Sequence, residues 1–336
     1  MPRSRTTPKP RSRGTRRATV HRIPDFAGAF ARLDRELGAA LDATSDIGVP
    51  SAVVRLLEWA ASIDWAAMID RLDPIRGSER ADEFGLDPEF EEAVAPLFTF
   101  LYRTWWNVVT HDVANVPASG PALVVANHGG ALFPWDGAML KVALRFEHPG
   151  ARELRPLVDD FVFHTPFLAS LVGRVGGVRA CRENAERLLA RGEVVAVFPE
   201  GTRGMRKLFR DRYRLQRFGR GGFVALALAS GAPIVPVAIV GAEETHPLLG
   251  TWQWPAKLLG LPYFPITPTF PWLGLLGLVP LPSKWSIRFG RPIDLARRYG
   301  PEDAADPVLV DRLGEEVRET VQAMVDRDRK ARGTAF

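Results

Sequence analysis

The chain of 336 residues carries 44 Lys and Arg against 39 Asp and Glu, is 46% hydrophobic and has one cysteine, Cys181. That composition is globular; it excludes an intrachain disulfide framework and a cysteine-based metal cluster, and it suits a reducing compartment. The net charge of +5 is segregated: residues 1–17 hold seven Lys/Arg and no acid, residues 203–220 hold eight against Asp211 alone, and elsewhere acidic side chains predominate. Placed positive charge attracts phosphate, on lipid headgroups, nucleotides or nucleic acid; a solvated tail and a solvated face account for it equally well.

Residues 1–22 are basic and rich in Pro, Ser and Thr, with no apolar h-region, so they read as a disordered tail and not as a secretory signal. From Asp25 the pattern turns helical, with Phe26, Phe30, Leu33, Leu37 and Leu41 on one face. A second helix is expected over 51–72, opened by Ser51 as a cap. "IRGSERADEFG" breaks the pattern, and Asp87-Pro88 restarts it as an amphipathic helix through "PEFEEAVAPLFTFLYRTWWNVV". Residues 23–110 therefore read as a helical N-terminal region and 111–336 as a second unit.

After Gly120 the period changes. Short Val- and Ile-rich runs at 122–127, 154–158, 194–199, 233–240 and 285–290 alternate with helix-length segments at 136–146, 166–174, 183–191 and 219–230. That alternation predicts an α/β fold, a mostly parallel sheet flanked by helices. A last helix is expected over about 306–332, after Asp306-Pro307. Residues 264–282 are apolar but interrupted by Pro265, Pro268, Pro271, Pro280 and Pro282, so no span of about 20 apolar residues exists there. The segment reads either as a loop at a membrane interface with Trp272 at headgroup level, or as a buried loop of the protein's own core.

"ANHGGALFPWDG" (126–137) directly follows the strand at 122–127, where open α/β sheets place their ligands. Gly129-Gly130 permits a sharp turn, and Pro134 as a first helical residue would put Asp136 in the first turn of the next helix. A loop histidine facing a helix-start carboxylate is what a general base needs, although His128 and Asp136 suit an ordinary hydrogen bond as well. "VVAVFPEGTRG" (194–204) runs from a strand into Glu200, Gly201, Thr202 and Arg203, a turn able to offer backbone donors and a forked cation to an anion.

Asn127-His128 followed by an Asp, then "FPEGTR" some seventy residues on, then "PIVPVAIVGAEE", resembles the phospholipid/glycerol acyltransferase superfamily over about residues 110–295. The resemblance implies transfer of a fatty acyl group from acyl-CoA or acyl carrier protein to a lipid hydroxyl, with no cofactor and no metal. It implies His128 as the base and Asp136 as its partner. Asn127, Gly129, Glu200, Gly201, Thr202 and Arg203 are then substrate-binding, and Arg179 or Arg182 of "GGVRACREN" would contact an acceptor phosphate. The family's usual first block has four residues between His and Asp; here seven separate them, a spacing nearer the arm that resembles monoacyl- and diacylglycerol acyltransferases. The implied acceptor is a lysophospholipid such as 1-acylglycerol-3-phosphate, the alternatives being a neutral mono- or diacylglycerol or a site that binds lipid without turnover. The implied partners are the acyl donor, the lipid acceptor and an anionic membrane surface, with no nucleic acid. The implied location is cytoplasmic, peripheral on the inner face of a membrane. Cys181 reads as an incidental thiol. Neither G-x-S-x-G, G-x-x-x-x-G-K-[ST] nor G-x-G-x-x-G occurs, which argues against a serine hydrolase, a P-loop NTPase and a dinucleotide-binding enzyme.

Overall fold

The structure, a computed structural model, describes residues 80–164 and 168–334. The tail expected over 1–22 and the helices expected over 25–41 and 51–72 lie outside the described residues. Helix α1 spans Pro88–Phe100; Asp87 caps it by accepting the backbone N–H groups of Glu89 and Phe90, and Pro88 sits in the first turn, where its missing N–H costs nothing. The helix expected to run to Val109 stops earlier. A π-turn covers Leu101–Trp105, and Val109–His111 form an edge strand, β1. Packing explains the difference: Trp105 and Trp106 are buried, Trp106 stacking on Trp285 with ring centroids 4.8 Å apart. A three-residue strand is too short to declare itself by alternation.

The chain then runs through β2 (Ala122–Ala126), α2 (Trp135–Glu147), β3 (Leu154–Val158), α3 (Asp160–His164), α4 (Leu168–Arg174), β4 (Val178–Arg179), α5 (Arg182–Ala190) and β5 (Val194–Val197). It continues with α6 (Thr202–Met205), α7 (Gly222–Ser230), β6 (Ile234–Val240), α8 (Ala242–Thr245), β7 (Gly250–Trp252), α9 (Gln253–Leu259) and β8 (Phe264–Ile266). Strand β9 (Ser286–Phe289) and the long helix α10 (Pro307–Arg332) complete the described fold. Seven strands form one sheet in the order β1-β9-β6-β2-β5-β3-β4. Strand β2 is central, parallel to both β5 and β6, while β9 joins β6 antiparallel. The fold is α/β with a mostly parallel sheet covered on both faces.

The uninterrupted apolar runs of the strands follow from that two-sided burial. Leu123 and Val125 face a core shared with α7 and with Val310, Leu313, Val317, Val321 and Val325 of α10, while Ala122, Val124 and Ala126 face Met139, Leu140 and Leu144 of α2 together with Trp106. A fully buried aliphatic side chain of this kind contributes roughly 1.5–3 kcal/mol. A second, two-stranded sheet pairs β7 with β8 antiparallel. Strand β8 opens the proline-rich region, and the loop that follows leaves Trp272, Leu273 and Leu276 exposed, so this segment is not a loop of the core.

Candidate active site

Three loops leave the carboxyl ends of three neighbouring parallel strands, and each delivers one carboxylate or base. His128 follows β2, Glu200 follows β5 and Glu243 follows β6. This is where such sheets hold ligands, because the strand ends leave a crevice that helices do not cover.

The first loop folds back on itself. His128 Nδ1 and Asp136 Oδ2 are 2.7 Å apart, the backbone N–H of Gly129 donates to the same Oδ2 at 2.8 Å, and that of Gly137 donates to Oδ1 at 2.8 Å. Asp136 is fully buried at the start of α2, where the helix's unpaired N–H groups favour a negative charge. Pro134 precedes the helix as its cap and Trp135 is the first helical residue. The longer His–Asp spacing is taken up by the turn at 129–134. Gly130 has φ +97°, and a Cβ there would stand 2.7 Å from Phe133 O; a Cβ on Gly129 would stand 2.6 Å from Glu243 Cγ. Tyr263 ties the turn down from outside, its hydroxyl donating to Ala131 O at 2.7 Å.

A carboxylate can only accept, so the proton between the two lies on Nδ1, and in the neutral tautomer Nε2 is the nitrogen with the lone pair. Nε2 has no hydrogen-bond partner among the described residues, and the side chain is 11% exposed, enough for a hydroxyl to reach one edge. Phe198 lies against the ring, centroid to centroid 4.7 Å, and restricts its rotation. Such a pair can accept a proton from a hydroxyl and stabilise the imidazolium that results.

Glu200 does not face solvent. Its side chain is fully buried; it accepts the backbone N–H of His128 at 2.9 Å and that of Gln216 at 2.7 Å, and it stands 3.3 Å from Lys207 Nζ. Lys207 Nζ is also 2.5 Å from Glu243 Oε1, and Glu243 Oε2 accepts the backbone N–H of Tyr213 at 2.5 Å. Two buried carboxylates thus share one ammonium directly beneath the histidine. Burial raises the Glu243 carboxyl above its usual range, partly opposed by Lys207. Burial pulls the Lys207 ammonium down, but the charges of Glu243 and Glu200 outweigh it, so its pKa is raised and it stays charged.

The remaining expected residues are placed as follows. Asn127 is buried and bridges strands: its Nδ2 donates to Ile239 O at 2.9 Å and its Oδ1 accepts from Ile239 N at 2.8 Å. It extends the β2–β6 pairing, and Glu200 braces the loops. Gly201 has φ +56° and leads into α6, with Thr202 and Arg203 in its first turn. Gly204 allows that turn to lie on the histidine, since a Cβ would stand 2.9 Å from both His128 Cβ and Glu200 Cβ. Arg203 is exposed and carries no ion pair among the described residues. Arg179 and Arg182 are not brought to His128. Arg179 is held by both carboxylate oxygens of Asp160, and Arg182 pairs with Glu186 at 2.7 Å. Strand β4 lies three places from β2, about 14 Å at the usual strand spacing. Cys181, half-buried, stands beside it at the same edge.

Lys207, Glu243 and Phe198 were not expected as site residues. Lys207 is hidden in a basic run that reads as surface, whereas Glu243 had a usable signal, an acid placed just past a strand end adjacent to β2.

Residues 107–240 match the family profile described as Acyltransferase. An uncharacterized protein of Mycobacterium tuberculosis is 52% identical over 254 residues, which are 75% of this chain and 70% of that protein. The chain belongs to the phospholipid/glycerol acyltransferase superfamily. This acyltransferase is also similar to animal proteins: a human protein named "DGAT1/2-independent enzyme synthesizing storage lipids" is 26% identical over 246 residues, covering 72% of this chain and 68% of its own. The crystal structure of the 1-acyl-sn-glycerophosphate acyltransferase PlsC from Thermotoga maritima aligns over 90% of this chain and 93% of its own, with TM-score 0.43 and 18% identity. The acyltransferase profile includes the loops that carry His128, Asp136 and Glu200.

Proposed function

We propose that the enzyme transfers a fatty acyl group from acyl-CoA or acyl carrier protein to the hydroxyl of a glycerolipid, a lysophospholipid such as 1-acylglycerol-3-phosphate, working peripherally on the cytoplasmic face of an anionic membrane. The observation that carries this reading is the 2.7 Å contact between His128 Nδ1 and Asp136 Oδ2 at the end of β2. His128 Nε2 takes the proton from the acceptor hydroxyl as its oxygen attacks the thioester carbonyl. The tetrahedral intermediate collapses, the C–S bond breaks, and the imidazolium returns the proton to the leaving sulfur, so coenzyme A departs as the thiol. No acyl-enzyme forms and Cys181 has no part. Asp136 holds the ring's tautomer and stabilises its charge. Exposed, and one residue before the Gly204 that packs on the histidine, Arg203 is the cation for an acceptor phosphate.

A second reading has its own support. Arg179 and Arg182 are engaged by Asp160 and Glu186, and the similar animal proteins are named for storage-lipid synthesis, both of which favour a neutral mono- or diacylglycerol acceptor. The test is purified protein with labelled acyl-CoA and a panel of lysophospholipids, monoacylglycerol and diacylglycerol, read as labelled lipid product. Product from lysophosphatidate supports the first reading and product from acylglycerols alone supports the second; no product from any acceptor by folded protein contradicts both.

A further inference from the structure

Among the described residues, eight of the thirteen exposed large apolar side chains fall within 249–279. Trp254 is 70% exposed, Leu258 77%, Trp272 61%, Leu273 57% and Leu276 73%. Trp254 and Leu258 are four apart on α9 and so share a face. Apolar area this concentrated marks an interaction surface.

The surface is braced by its own rings and hydrogen bonds. Trp252 pairs across the β7–β8 ladder with Phe264, their rings stacked at 6.3 Å, and Trp272 meets Trp252 edge-on at 6.1 Å. Backbone polar groups here are satisfied locally: Thr267 N–H donates to Phe270 O at 2.7 Å, Phe270 N–H to Thr267 Oγ1 at 2.8 Å, and Trp272 Nε1 to Thr267 O at 3.0 Å. That economy is what a segment entering lipid requires, since no water is there to pair with a free N–H or C=O. No described helix is long and apolar enough to cross a membrane.

Charge selects the occupant. In a chain with 39 acidic residues, residues 245–293 contain none, and their charged side chains are Lys257, Lys284, Arg288 and Arg291. The basic run 203–220 joins the root of this surface, where Phe209 N–H donates to Leu248 O at 2.8 Å and the Arg206 guanidinium lies 5.6 Å above the Tyr263 ring. Arg203, Arg206 and Lys257 are exposed. Tyr263 in turn holds the Ala131 carbonyl of the histidine loop. Exposed Trp and Leu with a basic collar and no acid match the headgroup–acyl boundary of an anionic bilayer.

We infer that residues 249–279 form a non-spanning membrane-docking shelf that seats on anionic lipid with Trp254, Leu258, Trp272 and Leu276 in the interface, holding the His128 loop at the depth of an acceptor hydroxyl. The inference rests on the acyl-transfer reading for its purpose, but not for its test. Full-length protein is sedimented with phosphatidylcholine vesicles, with and without phosphatidylglycerol, and compared with Trp254→Ser/Leu258→Ser/Leu276→Ser, whose three positions are exposed and make no hydrogen bond through their side chains. The expected result is binding that needs phosphatidylglycerol, weakens with salt, and falls at least about tenfold in the variant. Transfer to a water-soluble short-chain acceptor is unchanged, and transfer to a vesicle-borne acceptor falls with binding. Quenching of tryptophan fluorescence by brominated lipid, reduced in Trp254→Phe, gives a second readout. A folded variant that binds vesicles like the wild type overturns the shelf, as does a wild type that binds neither vesicle or a shelf whose loss converts dimer to monomer with vesicle binding intact. Vesicle binding lost in the variant while the wild type transfers no acyl group to any acceptor keeps the shelf and removes the acyl-transfer reading.

Discussion

Glu200 holds His128 by the backbone: its Oε1 accepts the histidine N–H at 2.9 Å, while the ring is oriented by Asp136. The acid of "FPEGTR" thus sets where the histidine stands, through the chain and not through the imidazole. Replacing it leaves the N–H groups of His128 and Gln216 without their acceptor and the Lys207 ammonium with Glu243 alone. Glu200→Ala is expected to lose about 3–5 kcal/mol of stability, and Glu200→Gln less, measured by urea unfolding. Equal stability of all three proteins would contradict the bracing role.

Lys207 is the hub beneath the site. Lys207→Met strands two buried carboxylates and is expected to cost about 3–5 kcal/mol, while Lys207→Met combined with Glu243→Gln recovers part of that loss. The check is a double-mutant cycle in denaturant. Strict additivity contradicts a shared ammonium.

Gly204 is where α6 touches the histidine. With a Cβ placed 2.9 Å from His128 Cβ and 3.0 Å from His128 O, Gly204→Ala must shift the loop. The expected cost is about 1–3 kcal/mol in stability, with kcat falling more than KM rises. Wild-type kcat in this variant would show that the two segments do not pack as described.

Acid sensitivity has a named contributor in His246. The ring is buried, its Nε2–H donates to Leu278 O at 3.1 Å, and burial lowers its pKa to about 4. The unfolded chain takes the proton near pH 6.5, so between those values the unfolded state binds more protons than the folded one. Stability present above pH 6.5 is therefore lost as the pH falls toward 4, by about 3 kcal/mol from this residue. Urea midpoints at pH 7 and pH 4.5 should draw closer together in His246→Gln than in the wild type. An undiminished acid loss in the variant would contradict the assignment.

Arg203 separates the two acceptor readings. If it meets a phosphate, Arg203→Ala raises KM for lysophosphatidate about tenfold or more and leaves KM for monoacylglycerol unchanged. Parallel changes for both acceptors, in steady-state kinetics with one acyl donor, point away from a phosphate contact.

The sheet was legible because its strands are buried on both faces, and Val- and Ile-rich runs such as "ALVVA" and "PIVPVAIV" have no other use. The His–Asp pairing was legible as chemistry, but its closure was not. Whether seven intervening residues fold back depends on Gly130 at positive φ and on Tyr263, 132 residues away, holding Ala131. Contacts that distant leave no mark on local pattern. The same limit hid Lys207, whose neighbours in sequence are surface arginines and whose neighbours in space are Glu200 and Glu243. The aromatic end of the first described helix failed for a related reason: Trp105 and Trp106 fit a helical period, yet their indole N–H groups donate to Pro280 O and Leu281 O and draw the chain into the core.

The central claim is that His128, held by Asp136, is the base for acyl transfer. It is tested most directly by following thiol release from acyl-CoA in the presence of acceptor, with wild type, His128→Ala and Asp136→Asn shown by circular dichroism to be folded. The account predicts release matched one to one by acylated lipid in the wild type, a rate at background for His128→Ala, and a fall of about 10²–10⁴-fold for Asp136→Asn. Wild-type rates of thiol release and lipid product in folded His128→Ala would contradict it.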